Sequence, residues 1–179
     1  MDIKEKLNRF FEEIQKEDFL QMRGLGNEVP YFIFDYKPED ELFVRQRVKH
    51  MLRSLPFKVK EVNLLQAMIS LFEDIGLEEL KQFEEDEGTE ELFEAIRPTI
   101  EEEALVRIIS DVATDSQLVF ITGIGSVYKL IRAHELLNQL HAQVTNTPII
   151  LFYPGVYTGQ GLKLFNEFET NGYYRAFEV

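Results

Sequence analysis

The sequence predicts a three-layer α/β domain: a mainly parallel sheet of about five strands with helices on both faces. Three observations predict it. The runs YFIF (31–34), LVFI (118–121) and IILFY (149–153) are short and almost wholly apolar, as strands buried on both faces require. Segments of helical spacing separate these runs, and strand–helix–strand order implies crossover connections between parallel strands. A chain of 179 residues with 45% hydrophobic content, including 15 Phe and 7 Tyr, can cover both faces of such a sheet.

Each element follows from its local pattern. Ile3, Leu7, Phe10, Phe11 and Ile14 recur at helical spacing and predict a helix over 2–15. A short helix over 17–22 ends at Gly24, and GLGNEVP (24–30) is a glycine-rich loop. YFIFDY (31–36) is the first strand. Pro38, followed by three acids, opens a helix that runs to Ser54, because proline suits the first helical position and acids suit the helix N-terminus. VKEVNL (59–64) alternates and is the second strand, and QAMISLFEDIG (66–76) is a helix closed by Gly76. Two acidic helical pieces follow, LEELKQFEEDEG and TEELFEAIR, and Pro98 divides them from a helix over 99–113. SQLVFITG (116–123) is the third strand and leads into a helix from Val127 to His141. PIILFY (148–153) is the fourth strand. GVYTGQGLKLF (155–165) reads as a glycine-punctuated loop entering a short helix, and YYRAFEV (173–179) as the fifth strand. The expected organisation is one domain over 1–179, with 73–113 an acidic helical insertion between strands two and three.

Composition narrows the chemistry. There is no Cys, so disulfides and zinc-thiolate sites are excluded. The charged N-terminus lacks the apolar stretch of a secretory signal, and no apolar run reaches the roughly 18 residues of a membrane span. The expectation is a soluble, cytoplasmic protein with no membrane partner. Glu73–Glu103 holds 14 acids against Lys81 and Arg97, so nearly all of the net charge of −13 lies there. Direct nucleic-acid binding, which needs clustered Lys and Arg, is not expected. Leu77, Leu80, Phe83, Leu92, Phe93 and Ile96 punctuate the acids. That combination reads either as a solvated helix face or as a partner surface, with Phe83, Glu84, Glu85 and Glu87 as candidate contacts.

The turn Thr122-Gly123-Ile124-Gly125-Ser126 follows a strand and precedes a helix, as phosphate-binding turns do. It lacks the P-loop lysine, and Tyr128 stands where a dinucleotide fingerprint needs its third glycine. Two readings stay open, a structural turn or an anion site, with Ser126 as a helix N-cap under the first. Asp35, Thr122 and Tyr153 fall at carboxyl ends of strands, where parallel sheets bind ligands. Asp35, Thr122, Gly123, Gly125 and Ser126 are therefore the candidate ligand residues. His50, His134 and His141 form no metal-binding spacing, and no metal, cofactor or catalytic group is assigned.

The segments RGLGNEVPYFIFDYKPEDELFVRQRVKHM (23–51), FITGIGSVYKLIRAHELLNQL (120–140), TPIILFYPGVYTGQGLKLF (147–165) and YYRAF (173–177) resemble the BrxB family of bacteriophage-exclusion (BREX) defence systems. The motifs GLGNE, FDY-x-P, TG-x-GS, R-x-H and FYPG, in this order, carry the likeness. It covers nearly the whole chain except the acidic middle. It implies a defence role without a known reaction: an interaction or scaffold subunit acting with a PglZ-like, phosphatase-family protein and other BREX components. The motif positions Gly24, Gly26, Asn27, Arg132 and His134 are thereby candidate partner contacts. Nucleotide or anion binding by a degenerate turn at 122–126 is the alternative.

Overall fold

The computed structural model describes residues 2–23, 30–100, 102–159, 161–171 and 177–178. It opens with helices α1 (Ile3–Glu13) and α2 (Glu17–Leu20), strand β1 (Tyr31–Tyr36), a 3₁₀ turn at Pro38–Asp40 and helix α3 (Glu41–Ser54). Strand β2 (Val59–Asn63) leads to helices α4 (Leu64–Ser70), α5 (Leu77–Glu87), α6 (Thr89–Ile96) and α7 (Glu102–Thr114). Strand β3 (Leu118–Thr122), helices α8 (Ile124–Val127) and α9 (Ala133–His141), and strands β4 (Ile149–Tyr157), β5 (Gly161–Leu164), β6 (Phe168–Asn171) and β7 (Phe177–Glu178) complete the described chain.

The main sheet has the order β2-β3-β4-β1-β7, and every pair along that path is parallel. From β1 the chain crosses two strands to the β2 edge, then steps back through β3 to β4. Right-handed crossovers that travel in opposite directions must use opposite faces. So α1 and α3 cover one face, while α4, α6, α7, α8 and α9 cover the other. Strand alternation supplies both cores. Phe32, Phe34, Phe120, Ile150 and Phe152 meet Leu7, Phe10, Val44, Val48 and Met51. Tyr31, Ile33, Val119, Ile121, Ile149 and Leu151 meet Leu105, Ile109, Leu136 and Leu140 on the other side. Phe10, Phe34, Phe120 and Phe152 form an aromatic layer with centroid separations from 4.8 Å for Phe10–Phe34 to 6.1 Å for Phe10–Phe120.

Four segments depart from expectation. The helix expected over 66–76 starts earlier and stops sooner, as α4, because the Asn63 side chain accepts the Gln66 N–H at 3.1 Å and caps it. The single helix expected over 127–141 is two. Leu130 and Ile131 N–H groups both close on Val127 O at 2.9 Å. Ile131 and Ala133 are buried on either side of exposed Arg132, whose extended backbone at φ −101, ψ 125 interrupts the helix. Ser126 is not the N-cap of that region: Gly123, at φ +79, holds the position before α8. The loop and helix expected over 155–165 are strand instead. β4 runs on through Pro154, and β5 and β6 pair beside it antiparallel. The reason is a two-residue period, with Leu162 and Leu164 buried around exposed Lys163. Gly155 permits this ladder, because a Cβ there would lie 2.1 Å from Lys163 O. The fifth strand is described only at 177–178, beside β1; residues 173–176 lie outside the described residues.

Candidate functional site at the carboxyl edge

The carboxyl ends of β1, β2, β3 and β4 bring two recesses together on either side of Tyr36. The first lies under α3, between that helix and the ends of β2 and β3, and has a volume of about 180 Å³. The second is a wider groove beside α1, lined by Lys6, Asp35, Lys37 and Gly155. Thr122 lines the first and Asp35 the second, because β4 stands between their strands. Tyr36 borders both. Its hydroxyl donates to Glu41 Oε2 at 2.5 Å, and Glu41 Oε1 accepts from Arg45 Nε at 2.7 Å. Burial, then the adjacent Glu41 carboxylate, pushes the Tyr36 hydroxyl far above the usual tyrosine range, so it stays a neutral donor.

The glycine turn packs as follows. Thr122 is buried and donates its hydroxyl to Glu61 Oε1 at 2.5 Å, while Asn63 Nδ2 donates to Thr122 Oγ1 at 3.3 Å. A Cβ on Gly123 would meet the Asn63 amide at 3.1–3.3 Å, so left-handed backbone and close packing both call for glycine. A Cβ on Gly125 would meet the Phe165 ring at 3.0 Å and Pro154 Cγ at 3.2 Å. The Ser126 N–H donates to Gly123 O at 3.0 Å, and α8 lasts one turn. Gly125 is thus called for by packing, since a side chain there would run into an aromatic ring and a proline.

Asp35 is fully engaged. One carboxylate oxygen is ion-paired with Lys6 of α1, and the other accepts the Tyr157 N–H at 3.0 Å. Lys6 Nζ also donates to Asp35 O at 2.9 Å and stands 5.1 Å from the Phe34 ring centroid. The cluster ties α1, β1 and the extension of β4 together. Tyr153, expected beside Asp35 at the edge, is its register partner but is buried in the helix-covered core, and burial raises its hydroxyl pKa.

The partner candidates separate. Gly24, Gly26 and Asn27 lie outside the described residues. Arg132 and His134 sit at the start of α9, where Arg132 Nη1 is 3.9 Å and His134 Nε2 is 3.5 Å from Glu135 Oε1, and neither lines the two recesses. Phe83 is 39% exposed on α5, with Glu84, Glu85 and Glu87 exposed beside it. No residue of α5 is buried, and the helix packs mainly on α6. Of the apolar residues in the acidic stretch, Ile96 is buried, and Leu80, Leu92 and Phe93 lean on the core. Leu77 is 46% exposed, and neighbouring Ile75, which sequence reading passed over, is 55% exposed. Gly76 and Gly88 bracket α5 at φ +90, ψ 145 and φ +101, ψ 162, backbone that essentially only glycine adopts.

Sequence reading also missed Glu41, Arg45 and Lys49, which share one face of α3 at four-residue spacing, and Glu61, Asn63 and Gln66 opposite them. The signal was present: Glu61 and Asn63 alternate with buried Val62 on a two-residue period. Among the described residues no three His, Asp or Glu side chains come together to hold a metal, and no helix is long and apolar enough to cross a membrane.

The chain has clear relatives. The family model described as BREX protein BrxB matches residues 60–179. A BREX protein BrxB of Bacillus cereus (strain H3081.97) is 34% identical over 186 residues, covering 99% of this chain and 97% of its own. One from Escherichia coli O9:H4 (strain HS) is 33% identical over 180 residues, covering 97% of this chain and 90% of its own. No solved structure matches.

Proposed function

The chain belongs to the BrxB family of BREX proteins, and on that premise we propose that it is an interaction subunit of a BREX phage-defence assembly, docking a PglZ-like partner through α5 and α6. The observation that carries this reading is α5 itself: eleven residues, none buried, that expose Leu77 and Phe83 among carboxylates. Single exposed apolar side chains are ordinary, but Ile75, Leu77 and Phe83 lie within nine residues of one another on an arm anchored mainly by its neighbour helix. Acids around apolar anchors divide the work of binding. The carboxylates steer a basic partner surface and are screened by salt, while the anchors, once desolvated, slow release.

Surface plasmon resonance against the purified partner at two salt concentrations tests the reading. Reversal of Glu84, Glu85 and Glu87 to Lys slows association and flattens its salt dependence, and Phe83→Ala speeds dissociation. Unchanged kinetics in stably folded variants of both kinds reject this surface. The anion-binding alternative at 122–126 has less support, because packing on Asn63 at Gly123 and on Phe165 and Pro154 at Gly125 already accounts for both glycines. ATP or GTP turnover is not expected, since the turn carries no lysine to stabilise a transferred phosphoryl group.

A further inference from the structure

The recess under α3 holds charges that the fold leaves unpaired. Along α3, Glu41 is engaged by both Tyr36 and Arg45. The next charge on that face, Lys49, has no ion-pair or hydrogen-bond partner among the described residues, and Arg45 keeps its Nη atoms. Across the mouth, Glu61 uses Oε1 to accept from Thr122, and Oε2 has no partner among the described residues. Thr122 itself is buried and held by Asn63, so Glu61 is presented from a fixed base. Val44, Val48 and Phe152 form the apolar floor between the two sides.

An ammonium and a carboxylate that line one recess without forming an ion pair are complementary to a ligand carrying both charges. The volume of about 180 Å³ lies below the roughly 300–1,000 Å³ of pockets that take drug-sized ligands, so the occupant is small. Arg45 and Lys49 balance Glu41 and Glu61 around the recess, so its lining carries no net charge and matches a zwitterion better than a bare anion or cation. We propose that this recess binds a small zwitterion of the size of a free α-amino acid. Its carboxylate lies at Lys49 and the Arg45 guanidinium, its ammonium at Glu61 Oε2, and its short side chain on the Val44–Val48–Phe152 floor. The site is separate from α5 and stands or falls independently of partner docking.

Valine, N-acetylvaline and valinamide are the probes, because they share a side chain and differ in which charges they keep. Backbone amide shifts of isotopically labelled protein are followed at millimolar probe. With valine, the amides of Asn63, Gln66 and Thr122 move in a saturable way. N-acetylvaline and valinamide bind at least about tenfold more weakly, as loss of one charged contact requires. Lys49→Met and Glu61→Gln, both at exposed positions, abolish the valine response, and Arg97→Gln, on the exposed surface of the acidic stretch, keeps it. Three results overturn the proposal: no saturable shift with valine, equal shifts with all three probes, or a valine response that survives both variants.

Discussion

The face under α1 and α3 and the α5 arm are built by opposite rules. On the first, Phe10 is 2% exposed and is ringed by Phe34, Phe120 and Phe152, so each side chain is held by several others. On the second, side chains meet mostly water, and the backbone is held at its ends by two glycines in conformations that other residues resist. The first region carries stability that a partner is not needed to supply. The second leaves Leu77 and Phe83 exposed to water. The same chain thus separates side chains that hold the fold from side chains that contribute little to it.

Substitutions sharpen that contrast. The largest effect is expected in the aromatic layer. Phe10→Ala leaves a cavity and loses about 3–5 kcal/mol in urea unfolding. Asp35→Ala follows. It strands the Lys6 ammonium, whose side chain is 23% exposed, and frees the Tyr157 N–H, for a loss of about 2–3 kcal/mol once partial solvation is allowed for. Gly88→Ala forces a Cβ into φ +101 and costs about 1–3 kcal/mol, with loss of helicity confined to α5 and α6. Phe83→Ala stays within about 0.5 kcal/mol of the parent, as exposed sites do, while weakening partner binding. A Phe83→Ala variant as unstable as Phe10→Ala would break the comparison.

The smallest effect is a pH dependence at the opposite edge of the sheet. Lys58 and Lys60 hydrogen-bond Asp115 and hold its carboxyl down at about 2. A carboxyl whose pKa is lowered on folding favours the fold above its ordinary value near 3.8 and loses that contribution as pH falls through about 2. The group is exposed, so high salt should erase the difference between the parent and Asp115→Asn in acid unfolding curves.

Much of the fold was legible because its signals are local. Continuous apolar runs mark strands buried on both faces, and Ile3, Leu7, Phe10 and Ile14 mark the inner side of α1. The misreadings came where two periods compete. GLKLF looked like glycine loop and helix, yet its alternation belongs to β5. The α8–α9 break was hidden because Ile131 and Ala133 fit a helical stripe nearly as well as an extended one. The site was less legible. Thr122 and Asp35 lie at the expected edge, but strand order, which no local pattern states, puts β4 between them. The Lys6–Asp35 ion pair joins residues 29 apart, and only packing of α1 on the sheet reveals it.

Amide hydrogen exchange tests the central claim most directly, since it reads local stability in the free protein and burial in the complex. In the free protein, amides of Leu80–Glu87 should exchange far faster than those of Phe32–Phe34, and addition of a PglZ-like partner should slow exchange across α5. Protection of α5 equal to that of β1 before any partner is added, or no change in α5 when the partner binds, would contradict the account.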